Sequence, residues 1–158
     1  MLVLTGQFLA ALAVLANAVV YGTDWCAALI MRSVYRRLDD ASVTVSAGWG
    51  HYYGDKRMPI FGAGGVVTAA LTLIVAAVSG HTAAAVAAAV ALVALVAWLG
   101  FYVKVAKPVN TAQKAAAQSG VIPADARALQ DKWDSIINLR VALQFIALSG
   151  LLAALALF

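Results

Sequence analysis

Two observations predict an all-α fold: an integral membrane four-helix bundle with two longer cytoplasmic connections. The apolar residues gather into four runs near or beyond the ~20 residues that cross a bilayer. Every Lys and Arg lies in, or at the edges of, two of the three connections between those runs. Composition agrees, with 64% of the 158 residues apolar and 11% charged, against roughly half and a quarter in a soluble domain. One transmembrane domain over residues 1–158 accommodates the whole chain.

The first helix is expected over residues 2–31. Ala16-Asn17-Ala18 has the look of a small-residue cleavage site, but no basic segment precedes the run, and the run outlasts the 7–15 apolar residues usual in a signal peptide; a retained helix is expected. The second and third helices, 59–78 and 83–103, form a hairpin around the outer turn Ser79-Gly80-His81-Thr82. Gly62, Gly64, Gly65 and the alanine series of the third helix permit close helix approach, within the chain or against a further copy or a larger membrane complex. Trp98, Phe101 and Tyr102 precede Lys104 and Lys107 and read as an interfacial aromatic belt. The fourth helix is expected over residues 136–158.

The charges supply an orientation. Arg32, Arg36, Arg37, Lys56 and Arg57 bound or lie in the first connection, and Lys104, Lys107, Lys114, Arg127, Lys132 and Arg140 in or beside the third. The positive-inside rule places both connections in the cytoplasm and both termini outside, in a multi-pass protein of the cell membrane. The net charge of +4 then suits anionic headgroups of the lipid bilayer. The scattered basic residues carry no nucleic-acid-binding motif, so no nucleic acid is expected as partner.

The first connection gathers Trp49, His51, Tyr52 and Tyr53 between glycines and an acidic pair. The third has Pro108, expected to end the third helix, Asn110 as a helix-end or turn residue, and an amphipathic helix over Ala124 to Trp133. Long aromatic-bearing connections at one end suggest a cap over a cavity. Trp49, Tyr52 and Tyr53 read as interfacial anchors or as substrate contacts; His51 reads as an interface residue or as a base.

Within the first helix, Asn17, Tyr21 and Asp24 fall at i, i+4 and i+7, on one face. An unpaired carboxylate there is costly. Helix four runs the opposite way and brings Arg140 to comparable depth, with Gln144 one turn beyond. A polar seam of Asn17, Tyr21, Asp24, Arg140 and Gln144 is therefore expected between helices one and four. It serves either as a buried ion pair fixing register or as the wall of a pocket.

Cys26 is the single cysteine and forms no intrachain disulfide. His51 and His81 are placed on opposite sides of ~30 Å of hydrocarbon, so one chain is not expected to bring them to one metal. No P-loop, dinucleotide fingerprint, HExxH or nucleophile elbow occurs.

Four spans, Tyr53-Gly54 followed by Pro59, Pro108-x-Asn110 after helix three, and Trp133 seven residues before Arg140 resemble the anthrone-oxygenase-like family of small membrane proteins. The resemblance covers nearly the whole chain in layout, on short motifs. One departure is Ile137, where the family pattern often has His or Asn three residues before the arginine; Asn138 follows it. The resemblance implies oxygenation without a cofactor of an activated aromatic or other lipophilic small molecule. It implies His51 or Asp24 as base, Arg140 as stabiliser of the substrate anion, and Asn110 and Trp133 as ring-positioning residues. Asn17, Tyr21 and Gln144 of the seam, with Tyr53 and Asn138, are the further candidates for substrate binding. Two other classes remain: an accessory subunit with a purely structural seam, and a small proton-coupled exporter built on Asp24.

Overall fold

The computed structural model describes all of residues 1–158 and contains helices and turns only. Helix α1 (Leu2–Cys26) passes through a π-helical turn (Ala27–Met31) into the short α2 (Arg32–Tyr35). Then follow α3 (Asp40–Arg57), α4 (Pro59–Val78), α5 (Thr82–Phe101) with its own π-helical turn (Tyr102–Ala106), α6 (Lys107–Ser119), α7 (Ala126–Asp134) and α8 (Ile137–Leu157). Four helical segments are long and apolar enough to cross a membrane: Leu2–Tyr35, Pro59–Val78, Thr82–Ser119 and Ala126–Leu157.

These four form the bundle. α1 packs on α4 and α8, and α5 packs on the same two, so the order around the bundle is α1, α4, α5, α8. The inner stripes are small. Ala13, Ala69, Ala91, Ala94 and Ala147 are buried with Leu95 and Leu151, which lets the backbones approach closely where hydrophobic driving force is weak. The outward faces carry exposed Leu, Val, Ile and Phe, as lipid-facing surfaces do.

The two long connections are largely helical: the amphipathic helix expected over Ala124 to Trp133 is present as α7, and α3 and α6 are helices that were not expected. α3 has a full set of end signals. The Asp39 carboxylate accepts from the Ser42 N–H at 2.7 Å, Asp40 lies in the first turn, and Lys56 and Arg57 lie in the last, each favourable to the helix dipole. Three glycines disguise it, since each weakens a helix by about 1 kcal/mol relative to alanine. Gly48 has a packing reason: a Cβ there would collide with Ala117 Cβ and the Gln113 carbonyl of α6. α3 and α6 therefore lie close together and, with α7, make a cap on one end of the bundle.

Pro108 does not end the third helix. It has no N–H, and its ring would crowd the carbonyl four residues back. The chain responds by widening one turn, so that the Lys107 N–H reaches the Tyr102 carbonyl five residues back, and the helix continues as α6. Asn110 is accordingly a buried helical residue and not a turn residue. The real stop is Gly120, left-handed at φ 71°, whose N–H bonds the Ala116 carbonyl.

Candidate functional site

At the junction of bundle and cap lies a cavity of about 570 Å³, the size of pockets that hold drug-sized ligands. α1, α4 and α5 supply most of its membrane-spanning wall, α3 closes it from the cap, and α7 and α8 contribute Trp133 and Arg140.

Its polar end is built on one carboxylate. Arg140 donates to Asp24 through Nη2 at 2.8 Å and Nε at 3.3 Å, and Trp98 donates through Nε1 at 3.0 Å. Both charged side chains are under a tenth exposed. The guanidinium sits between two indoles, its Cζ 5.1 Å from the Trp98 ring centre and 5.6 Å from that of Trp133. This arrangement adds cation–π attraction and fixes the plane of the guanidinium.

A second network adjoins the first. Trp133 donates to Asn110 Oδ1 at 3.1 Å, and Asn110 donates to Asp55 at 3.1 Å. Tyr102 and Lys114 also donate to Asp55. These hydrogen bonds outweigh burial and hold the Asp55 carboxyl below the usual range. Asn110 thus accepts from the cap helix α7 and donates to α3, and Trp133 connects both to Arg140.

His51 lines the same cavity, its ring 5.7 Å from Trp133. Burial pulls its pKa down to about 4, opposed by the Asp55 carboxylate and by Gln113 beside it. The imidazole is therefore neutral at pH 7 and keeps a lone pair available. Gln113 in turn donates to Gln130 at 3.1 Å, and Gln130 to Asp134 at 2.9 Å.

The expected seam is real at its centre and altered at its ends. Asp24, Arg140, His51, Asn110 and Trp133 meet on the cavity wall. Asn17 is buried, but it donates to the Ala13 carbonyl and lies against Gly65 of α4, away from the cavity. Gln144 is buried with neither amide atom partnered and is not on the wall. Tyr21 turns aside to pack on Trp25 and Phe145. Tyr53 stays on the exposed face of α3 under Arg57. Asn138 is exposed while Ile137 takes the buried position, against Ala28 and Val141. The exposure of Asn138 follows from helical rotation: one step past Ile137 turns a side chain ~100° out of the core.

Four contributors were not expected at the site: Trp98, Tyr102, Asp55 and Lys114. Trp98 was expected in an interfacial belt and is instead buried at 7% exposure on Asp24. Asp55 and Lys114 gave no local signal, because they lie 59 residues apart. Only the i, i+4 spacing of Trp98 and Tyr102, both upstream of a proline-bearing helix, hinted at a shared inward face. His81 sits at the opposite end of the molecule, hydrogen-bonded to Ser79 and packed on Phe158. No cluster of three His, Cys, Asp or Glu side chains is close enough to hold a metal ion. Among known protein families, curated proteins and solved structures, none matches this chain.

Proposed function

We propose that this multi-pass protein is an oxygenase of the anthrone-oxygenase kind, acting without a cofactor on a lipophilic aromatic substrate held in the cavity. One observation carries the reading. Gly54, Pro59, Asn110, Trp133 and Arg140, from three short motifs far apart in the chain, all border the same 570 Å³ space.

The chemistry needs a base, a partner for an anion and contact with dioxygen. His51 is the uncommitted base, since Asp24 is held by Arg140 and Asp55 by Lys114. With a pKa near 4 it is weak alone, but an anion forming beside it stabilises the imidazolium and raises its basicity when the proton moves. Two of Arg140's five N–H groups are engaged by Asp24. The remaining donors and the flanking indoles are available to the delocalised anion.

The substrate's activated CH₂ gives one proton to His51. The carbanion passes an electron to O₂, and the radical pair combines into a C–O bond; the peroxide then takes that proton back. His51 removes the second proton from the same carbon as the O–O bond breaks and C=O forms. The departing hydroxide leaves with that proton as water. One CH₂ and one O₂ thus become one C=O and one H₂O.

In the same reading the cap faces the cytoplasm and both termini lie outside. The enzyme assay is oxygen uptake by the purified protein in micelles with anthrone as substrate. Uptake above the uncatalysed rate that disappears in His51→Ala supports the reading, and uptake no faster than autoxidation overturns it. A terminal reporter active only in the cytoplasm overturns the orientation.

A further inference from the structure

The cavity wall is not confined to buried side chains. Six of its residues lie within the membrane-crossing helices and are also exposed on the outer surface: Thr23 and Cys26 on α1, Pro59, Ala63 and Val67 on α4, and Leu99 on α5. Val67 is 56% and Leu99 40% exposed. α4 stands between α1 and α5, so the opening lies on the α4 side of the bundle, where its wall is Gly62, Ala63, Val66 and Val67. That opening faces the lipid-facing surface of the bundle, whereas on the cap the exposed wall residue is Gly50.

The charges around His51 are balanced. Asp24 is neutralised by Arg140 and Asp55 by Lys114. Asp134 accepts from Gln130, and His51 is uncharged at pH 7. Arg32 and Asp134 are also on the wall and make no salt bridge, but the charges that act on His51, those of Asp55, Arg140 and Lys114, are all paired, so an ion arriving beside the imidazole meets no free counter-charge. Moving an ion into such a site forfeits hydration that nothing replaces. A neutral molecule with one hydrogen-bond donor meets the His51 lone pair.

We infer that the cavity is loaded sideways from the bilayer, past α4, by an uncharged amphiphile whose apolar body rests on Ala63, Val67 and Leu99 and whose hydrogen-bond donor points to His51. The inference rests on the cavity being a ligand site, as in the proposed function, but not on the oxygen chemistry. A membrane-partitioned ligand is concentrated before it binds, which suits a site whose wall is mostly apolar.

Trp98 reports on the cavity from its wall. A Trp25→Phe, Trp49→Phe, Trp133→Phe background leaves it as the single tryptophan; if that background fails to fold, the difference between the unaltered chain and Trp98→Phe gives the same signal. The protein is reconstituted into vesicles of phosphatidylcholine brominated along the acyl chain. Loss of most Trp98 emission, restored by Ala63→Phe, is expected. Emission untouched by brominated chains, quenching unchanged by Ala63→Phe, or quenching by aqueous iodide in their place overturns the sideways route. Added 4-tert-butylphenol is expected to displace the chains and relieve quenching, while 4-tert-butylbenzoate is not. Equal relief by the benzoate, or none by the phenol, overturns the neutral-ligand assignment. None of these readouts depends on turnover, so a failed oxygen-uptake assay leaves them interpretable.

Discussion

Arg140 and Asp24 are 116 residues apart in sequence and meet through two hydrogen bonds in the interior of the bundle, at 2.8 and 3.3 Å. The pair joins the last helix to the first, and Trp98 adds a donor from the helix opposite α1.

Breaking this pair from either side leaves a buried charge. Asp24→Asn and Arg140→Gln are each expected to destabilise the protein by about 3–5 kcal/mol. The double variant is expected to recover part of the loss, with a coupling of about 0.5–3 kcal/mol. Unfolding in mild detergent with added denaturant measures all four corners of the cycle, and strict additivity would contradict the coupling.

Trp98→Phe keeps an aromatic ring, smaller than the indole, and removes the donor to Asp24. A loss of about 1–3 kcal/mol is expected for a charged acceptor left short of one partner in a buried site. A fully tolerated substitution would show that Arg140 alone satisfies the carboxylate.

His51 makes folding depend on pH. Its folded pKa of about 4 lies below the ordinary 6.5, so between these values the unfolded chain binds more protons. Stability therefore falls as pH drops from 6.5 towards 4. The full contribution is at most about 3 kcal/mol, reduced because the ring is only half-buried and partly screened by solvent. His51→Gln is expected to flatten this segment of the stability profile. An NMR titration placing the imidazole near 6.5 would remove the cause.

Asn110 and Trp133 are expected to behave as a unit. Asn110→Ala removes the acceptor of Trp133 and one donor to Asp55, a loss of about 1–3 kcal/mol. Adding Trp133→Phe to that variant should cost less than Trp133→Phe does alone. Equal cost in both backgrounds would separate the two residues.

Two glycines of α3 should respond in opposite directions. Gly48→Ala drives a methyl into α6 and is expected to cost about 1–3 kcal/mol. At Gly50 a Cβ meets nothing, and Gly50→Ala is expected to stabilise the helix by about 0.4–1 kcal/mol. Thermal unfolding of the two variants tests the contrast, and equal effects would mean that α3 and α6 are not in contact.

The four spans, their order and the meeting of Asp24 with Arg140 could all be read from the sequence. Hydrocarbon thickness dictates run length, and two ionisable groups inside apolar runs at one end have few partners but each other. Helicity in the cap was written there too, in Asp39, Asp40, Lys56 and Arg57 around α3, but the glycines concealed it. What tertiary structure decided was which polar residues share a wall. Asn17, Tyr21 and Asp24 occupy one face of α1 by spacing, yet that face is wide enough to meet three surroundings: Gly65 of α4, Phe145 of α8 and the cavity. The Asp55 cluster depends on α3 and α6 lying together, and that contact depends on Gly48 and on a proline whose helix widened and continued. Local sequence constrains rotation and length along each helix. The distances between helices come from how side chains of different parts of the chain fit together, and those distances brought Trp98, Asn110 and Trp133 to one site.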